Sequence, residues 1–178
     1  MKLFIRALGR EAESRAAALS AGRGGETDTL YFGGGTPSML SDTHLGRLME
    51  TLDRLVPVDK LDEFSFEANP ATFTEKKVRF WRSLGMTRVS LGVQSLDSGI
   101  LRLLGREHTP DQALRSVEML KNAGMPHINM DLMFAIPGQP LSIWEATLKE
   151  AVRAENAHIS ACNLTYDAGT GFFRRLRR

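Results

Sequence analysis

The stretch Thr29–Pro37, Thr-Leu-Tyr-Phe-Gly-Gly-Gly-Thr-Pro, decides the fold. Its first four residues favour a buried β-strand, and that strand runs directly into three glycines. Because glycine has no Cβ, Gly33, Gly34 and Gly35 allow positive φ angles and a close approach of the backbone to another molecule. The stretch predicts a strand followed either by a loop that holds a small polar ligand or by a tight turn with no ligand.

Strand-like and helix-like segments alternate on both sides of this stretch. The predicted strands are 29–32, 63–67, 88–93, 127–134 and 158–164. The predicted helices are 3–20, one opened by Ser41, one capped by Thr74, 100–104, one after a capping box at 109–112 and one after a capping box at 142–145. Strands that alternate with helices indicate parallel strands joined by crossovers, and hence an α/β fold. With no linker or low-complexity stretch in the sequence, we expect one domain over residues 1–178.

Composition narrows the class of protein. The 178 residues are 42% hydrophobic and 25% charged, which is typical of a globular domain. No apolar run approaches the roughly 18 residues of a membrane span, and the start, Met1–Arg6, is charged too early for a signal peptide. We therefore expect a cytoplasmic protein without a membrane span. The net charge of +2 depends on four arginines at 174–178, so we expect no nucleic-acid partner.

Polar residues or glycines follow, or lie near the end of, every predicted strand. They are Gly33–Thr36, Glu67 and Asn69, Gln94 and Ser95, Asn129 and Asp131, and Ser160, Asn163 and Thr165. The carboxyl ends of parallel strands meet at the same edge of a sheet or barrel, which is where such folds bind ligands. The pattern favours one shared polar ligand site over five unrelated loop starts.

Several of these side chains have two interpretations each. Glu67 and Asp131 would bind a ligand's amine or ribose hydroxyls, or else satisfy loop amides. Arg106 would clamp a carboxylate, or else lie on the surface. His108 and His158 are either acid/base groups or structural residues.

We expect the sulfur-containing residues to be structural rather than catalytic. Met86, Met130 and Met133 are expected in the core, and Cys162 is expected to be a small buried residue. A single cysteine excludes an internal disulfide and any multi-cysteine metal site within this sequence.

Six ordered segments together resemble one known family. They are Gly-Gly-Gly-Thr-Pro-Ser (33–38), Glu-Ala-Asn-Pro (67–70), Arg-Val-Ser-Leu-Gly-Val-Gln-Ser (88–95), Leu-Gly-Arg-Glu-His (104–108), Asn-Met-Asp-Leu-Met-Phe (129–134) with Ile-Pro-Gly-Gln (136–139), and His-Ile-Ser (158–160). From about Leu8 to Phe173, the chain resembles the radical S-adenosylmethionine (radical SAM) proteins of the oxygen-independent coproporphyrinogen III oxidase group, and especially their haem-chaperone (HemW-like) branch. The resemblance implies a partial (β/α)6 TIM-like barrel with S-adenosylmethionine at its top.

The resemblance also implies which residues contact the cofactor. Gly34, Gly35 and Thr36 would line the amine and carboxylate of the methionine moiety. The remaining expected contacts are Glu67, Gln94, Arg106 and Asp131. No catalytic residue and no metal ligand of this chain is implied.

Departures from the family pattern are as informative as the matches. The family's first strand and its Cys-x3-Cys-x2-Cys loop have no counterpart here, and iron–sulfur clusters need thiolate ligands. Cys162, Ala135 and Asp167 stand where the family usually has Tyr, Gly and Glu. We therefore expect a barrel lacking its first strand, cluster loop and C-terminal family domain, which is either a truncated reading of a longer protein or a degenerate copy. We expect this chain to be inactive alone.

Three functions follow from these observations. The first is a fragment of a radical SAM protein that acts on porphyrin or haem. The second is a non-catalytic module that binds S-adenosylmethionine or haem. The third is a (β/α) enzyme of another class that uses Glu67, His108 or Asp131 as acid or base, although no nucleophile–base spacing supports it. The exposed edge expected beside 29–32 also predicts self-association or poor solubility.

Overall fold

The chain forms an open sheet of parallel strands in a computed structural model that describes residues 1–21, 27–155, 158–165, 168 and 173–174. The strands are β1 (Thr29–Phe32), β2 (Glu63–Ala68), β3 (Arg88–Gln94), β4 (His127–Phe134) and β5 (His158–Asn163). The helices are α1 (Lys2–Ala21), α2 (Asp42–Asp53), α3 (Glu75–Ser83), α4 (Ser98–Leu103), α5 (Pro110–Asn122) and α6 (Leu141–Arg153). Short 3₁₀ turns occupy Pro37–Met39 and Val58–Lys60.

Each strand pairs in parallel with the next strand along the chain, in the order β1-β2-β3-β4-β5. The sheet does not close, so β1 and β5 are its edges. The register places Phe32 beside Phe66, and Ser90 beside Asn129. An α/β fold built as a partial, open barrel is therefore confirmed.

The two faces of the sheet differ sharply in polarity. One face packs under the helices and carries fully buried apolar side chains, including Phe64, Phe66, Val89, Leu91 and Met130. Each such side chain contributes about 1.5–3 kcal/mol by leaving water. Trp81 of α3 covers this face, with its ring centroid 4.7 Å from that of Phe66. The alternate positions form the inner face of the partial barrel, and the polar residues of the site lie there.

Helix starts follow the predicted capping chemistry at three positions. The side chains of Ser41, Thr74 and Thr109 each accept a hydrogen bond from the backbone N–H three residues later. At Thr109 the Gln112 side chain completes the predicted capping box. These caps satisfy backbone donors that helix geometry leaves without partners.

The predicted capping box at 142–145 is wrong. Helix α6 begins at Leu141 directly after Pro140, and no side chain caps it. Proline fixes φ near the value that opens a helix, so Ser142 lies inside the first turn, where it cannot cap. On this helix Ala151 faces the core and is fully buried, whereas Val152 is 66% exposed.

Two expectations for sulfur-containing residues also need correction. Cys162 is exposed rather than buried, and Met133 is only half-buried, whereas Met86 and Met130 are fully buried as expected. Cys162 pairs in register with Met133 on edge strand β5. Both side chains lie on the inner face of the sheet, which none of the described helices covers. The position Asp167 lies outside the described residues.

Helix α1 packs on α2 at the β1 side of the sheet. A Cβ at Gly9 would lie 3.5 Å from Cγ2 of Thr51, so the two helices approach closely there. Within the described ranges, no helix combines the length and the apolar character needed to cross a membrane.

Candidate functional site

A polar cavity of about 220 Å³ lies at the carboxyl ends of the central strands. Its lining residues are Gly35, Thr36, Pro37, Glu67, Ala68, Asn69, Ser90, Gly92, Gln94, Arg106 and Asp131. Six of the seven residues predicted to contact a cofactor are among them. The seventh, Gly34, donates its backbone N–H to Oε2 of Glu67 at 2.8 Å. The structure thus brings all seven predicted residues together at one place.

The glycine loop after β1 needs glycine for two different reasons. Gly34 and Gly35 have φ angles of +81° and +58°, where a Cβ would be strained although nothing lies within 4 Å of it. At Gly33 the obstacle is steric, because a Cβ would come within 2.3 Å of the Tyr31 ring. Without side chains, this loop leaves its backbone accessible at the mouth of the cavity.

Glu67 is anchored on both of its carboxylate oxygens. Oε1 accepts a hydrogen bond from the Tyr31 hydroxyl, and Oε2 accepts the bond from Gly34. Loss of hydration at the hydroxyl, its hydrogen bond to Glu67 and the negative charges of Glu67 and Asp131 raise the pKa of Tyr31 to about 12. Glu67 therefore satisfies a loop amide, as one sequence interpretation held, and still lines the cavity.

Asp131 is held in the same way by its neighbours on the inner face. Ser90 Oγ donates to Oδ2 at 2.7 Å, and Asn129 Nδ2 donates to Oδ1 at 2.6 Å. The amide oxygen of Asn129 accepts in turn from His158 at 2.6 Å and from Ser160 at 3.1 Å. His158 therefore lies in the hydrogen-bond network beneath Asp131, and it does not line the cavity.

Arg106 supplies the positive charge of the cavity. Its Nη1 donates to Oδ1 of Asn69 at 3.4 Å, and Asn69 Nδ2 donates to Oγ1 of Thr36 at 3.3 Å. Burial lowers the pKa of Arg106 from its ordinary value. Across the part of the chain that the structure describes, no carboxylate forms an ion pair with Arg106. The guanidinium is half-buried and its charge is uncompensated by any ion pair.

Gln94 adopts a strained backbone conformation at the end of β3. Its φ is +67°, which is uncommon for a residue with a Cβ, and the register of β3 against β4 shifts between Leu91 and Gln94. Such irregularities redirect side chains and recur at functional sites. Here the irregularity ends the regular pairing of β3 where Gln94 reaches the cavity.

The charges of the cavity sum to −1, with two carboxylates, Glu67 and Asp131, and one guanidinium, Arg106. Both carboxylates are fixed by hydrogen bonds on each oxygen. This set suits a small ligand that carries cationic groups together with one carboxylate, since each ligand charge then meets its opposite.

His108 belongs to the core rather than to the cavity. It is 7% exposed, and its Nε2 donates to the Val93 carbonyl at 3.1 Å. Burial lowers its pKa below the ordinary value, and the charge of Arg106 lowers it further, while the bond to Val93 opposes the shift. The structural interpretation of His108 holds.

Sequence reasoning did not single out four lining residues, Pro37, Ala68, Ser90 and Gly92, of which Ser90 and Gly92 lie within a strand. Both lie on β3 with the parity of Gln94, so they share its face. A Cβ at Gly92 would lie 2.8 Å from Oδ1 of Asn69, so glycine gives Asn69 its space. Extending the alternation backward from Gln94 would have identified both residues.

A second cavity, the apolar groove, lies between α1, α2 and the free edge of β1. It has a volume of about 550 Å³. Its apolar lining includes Met1, Phe4, Leu8, Leu30, Phe32, Leu40, Leu48 and Leu52. Gly35, Thr36 and Pro37 line both cavities, so the glycine loop is their common wall.

Comparisons with known proteins agree with this geometry. The model of the radical SAM superfamily matches residues 9–151. The chain is 35% identical over 150 residues to heme chaperone HemW of Lactococcus lactis, covering 84% of this chain and 40% of that protein. It is 35% identical over 175 residues to HemW of Mycobacterium tuberculosis, covering 98% and 44%.

A solved structure shares the fold closely. Coproporphyrinogen III oxidase (HemN) from Escherichia coli, described as a radical SAM enzyme, superposes with a TM-score of 0.82 at 28% identity. The match covers 93% of this chain and 38% of HemN. The chain thus spans less than half the length of these relatives.

Proposed function

Because this chain belongs to the radical SAM superfamily, we propose that its polar cavity binds S-adenosylmethionine within a HemW-like protein that handles haem or porphyrin. One observation carries the proposal. Residues from separate sequence segments, which both the strand-end pattern and the family resemblance singled out, converge on a single cavity whose charges sum to −1. Parallel strands bring their ends together in any case, so the support comes from the charged side chains that meet in this cavity.

The chemistry of the ligand complements the cavity. S-adenosylmethionine carries a sulfonium, an ammonium and a carboxylate, so it is a cation overall. In this proposal the backbone of Gly34–Thr36 and the Glu67 carboxylate receive the amine, and Arg106 receives the carboxylate. Asp131 accepts from hydroxyls of the nucleoside, and Gln94 supplies a further polar contact.

The family's other cofactor, a [4Fe–4S] cluster, does not fit the residues of this chain. Such a cluster needs several thiolate ligands, and the sequence has one cysteine, Cys162, which is exposed on β5. Among the residues that the structure describes, no three His, Cys, Asp or Glu side chains are grouped to hold a metal ion. We therefore derive no radical step from this chain and propose cofactor binding without catalysis by it alone.

Calorimetric titration of the full chain with S-adenosylmethionine and with S-adenosylhomocysteine tests the proposal. We expect one site for each ligand, and weaker binding of both in Asp131→Asn and Arg106→Gln. Arg79→Gln is the matched control, because Arg79 pairs with Glu75 on the exposed side of α3, away from the cavity lining. The absence of a binding signal from both ligands with folded wild-type chain would overturn the proposal.

Haem binding is a second candidate, favoured by the apolar groove beside the glycine loop. In this reading the flat apolar macrocycle lies against α1 and β1, near Phe4 and Leu8. Haem titration followed by absorbance tests it, with Phe4→Glu expected to abolish the spectral change and Val152→Glu, an exposed position on α6, expected to leave it intact. A spectral change that persists in Phe4→Glu would contradict binding in the groove.

Self-association through β1 is proposed for the same region. The free edge of β1 offers unpaired backbone groups, and four apolar residues of the first helix region are exposed: Met1, Leu3, Phe4 and Leu8. Sedimentation of the wild-type chain would show a concentration-dependent dimer, and Leu3→Glu would shift it toward monomer. A wild-type chain that is monomeric at all concentrations would end this proposal.

Two further parts of the proposal concern the chain as a whole. We infer that residues 1–178 fold as one domain, which predicts a single cooperative unfolding transition. A cytoplasmic location is also proposed, and it is tested by fractionation of the producing cells.

A further inference from the structure

We propose that Ser90 and Asn129 are positioning residues that hold the Asp131 carboxylate in place for a ligand of the polar cavity. This inference rests on the proposed function, because Asp131 is one of the residues assigned there to ligand binding. Neither Ser90 nor Asn129 is among the residues that sequence resemblance implicates in binding. Their assignment comes from hydrogen bonds on the inner face of the sheet.

The strand register brings the three residues together. Ser90 of β3 lies beside Asn129 of β4, and Asp131 follows on the same face of β4. Asn129 Nδ2 donates to Ser90 Oγ at 2.7 Å and to Asp131 Oδ1 at 2.6 Å. Ser90 Oγ donates to Asp131 Oδ2 at 2.7 Å. The two oxygens of Asp131 therefore each have their own donor.

Bond directions in this network follow from the number of protons available. The amide oxygen of Asn129 accepts from His158 and Ser160, so its NH₂ group must face Ser90 and Asp131. Ser90 accepts from that NH₂ group, so its single hydroxyl proton is left for Asp131. Each of these protons therefore has one acceptor, and the network defines one orientation of the Asp131 carboxylate.

Burial gives this arrangement its strength. Asn129 is 4% exposed, whereas Asp131 is half-buried at the cavity wall. Hydrogen bonds to a charged carboxylate contribute more than hydrogen bonds between neutral groups. A carboxylate fixed in this way loses little conformational freedom when a ligand arrives, which is how preorganisation raises affinity.

Ligand affinity tests the inference in the full chain. In calorimetric titrations with S-adenosylhomocysteine, we expect Ser90→Ala to bind about tenfold more weakly than wild type, as loss of one such hydrogen bond implies. Ser90→Thr keeps the hydroxyl and should restore most of the affinity. Ser65→Ala is the matched control, since Ser65 is also on an inner-face position but donates to Glu63.

Equal affinity in Ser90→Ala and wild type would overturn the inference while leaving the proposed function intact. So would a loss in Ser90→Ala that Ser90→Thr does not restore, because that pattern indicates a general packing role. If wild type binds neither S-adenosylmethionine nor S-adenosylhomocysteine, the proposed function fails, and a second measurement decides the inference.

That second measurement needs no ligand. A double-mutant cycle combines Ser90→Ala with Asp131→Ala and compares urea unfolding of the four proteins. We expect the two substitutions to be clearly non-additive, because each removes the same bond. Additive effects would show that Ser90 does not hold Asp131, and would overturn the inference whatever the ligand titrations gave.

Discussion

The Tyr31 hydroxyl donates a hydrogen bond to the same Glu67 carboxylate that anchors the glycine loop through the Gly34 amide. The contact joins β1 to β2 on the inner face of the sheet, although Tyr31 remains 58% exposed. Loss of hydration at the hydroxyl, together with this hydrogen bond and the nearby negative charges, raises the pKa of Tyr31 from 10.0 to about 12.

This contact predicts a loss of stability at high pH. The folded protein keeps the phenolic proton at pH values where the unfolded chain has released it. The stabilisation is therefore present below pH 10.0 and is lost as the pH rises through about 12. Urea unfolding across this range should show a steeper decline for wild type than for Tyr31→Phe.

Absorbance titration gives a direct check on the same residue. Tyr31→Phe should remove a phenol ionisation at about pH 12 from the titration of the chain, whose sequence has two tyrosines. If the variant instead loses an ionisation near the ordinary value of 10.0, the contact between Tyr31 and Glu67 does not form in solution.

Gly33→Ala is predicted to separate Tyr31 from Glu67. The added Cβ would come within 2.3 Å of the Tyr31 ring and 3.0 Å of Glu67 Oε1. The exposed ring is the easier group to move, so it should turn away and its pKa should fall back toward 10.0. Absorbance titration measures this shift. The control is Gly46→Ala inside α2, where the added Cβ would be 3.9 Å from Phe80 and should leave the titration unchanged.

His108 is predicted to make the fold sensitive to mild acid. Burial lowers its pKa from the ordinary 6.5, so the unfolded chain binds a proton that the folded chain resists. Stability is therefore full above pH 6.5 and is lost as the pH falls below that value. Unfolding measured at about pH 8 and about pH 5 should show this loss in wild type and a smaller loss in His108→Gln.

The matched comparison uses an exposed histidine. His127 is exposed at the start of β4, and His127→Gln should keep the wild-type pH dependence. An equal loss in wild type and His108→Gln would mean that other groups cause the sensitivity to acid.

Ala135→Gly is predicted to stabilise the protein. Ala135 has a φ of +55°, a conformation that favours glycine, and it follows β4 where the resembled family usually has glycine. Relief of this strain exceeds the added freedom of the unfolded chain, for a net gain of about 0.5–1 kcal/mol. Ala146→Gly, at an exposed position inside α6, should instead cost about 1 kcal/mol. A destabilised Ala135→Gly protein would contradict the strained conformation.

Local signals in the sequence predicted much of the fold. Strands β1 and β4 have the predicted bounds, because each is a short, largely apolar run with turn residues after it. Glycines follow β1 directly, and Pro137 and Gly138 follow β4 within four residues. The caps at Ser41, Thr74 and Thr109 were predictable because capping depends on residues a few positions apart. The convergence of the site followed from one rule, that parallel strands end at the same edge.

Features that depend on distant neighbours were not predictable in this way. Cys162 is apolar enough for a core, but its burial depends on what covers the inner face of β5, and no described helix does. The start of α6 was misplaced because Pro140 and Ser142 both give helix-start signals, and the backbone constraint of proline prevailed. The donors to Asp131 became visible only when the register of β3 against β4 was known.

The loop at Gly35–Pro37 lies between the polar cavity and the apolar groove and lines both of them. A ligand that displaces this loop from the side of one cavity would change the shape of the other cavity. Occupancy of either compartment would then change the affinity of the other by the same factor, since thermodynamic linkage is reciprocal. A charged ligand in the cavity and an apolar ligand in the groove would thus change each other's affinity without direct contact.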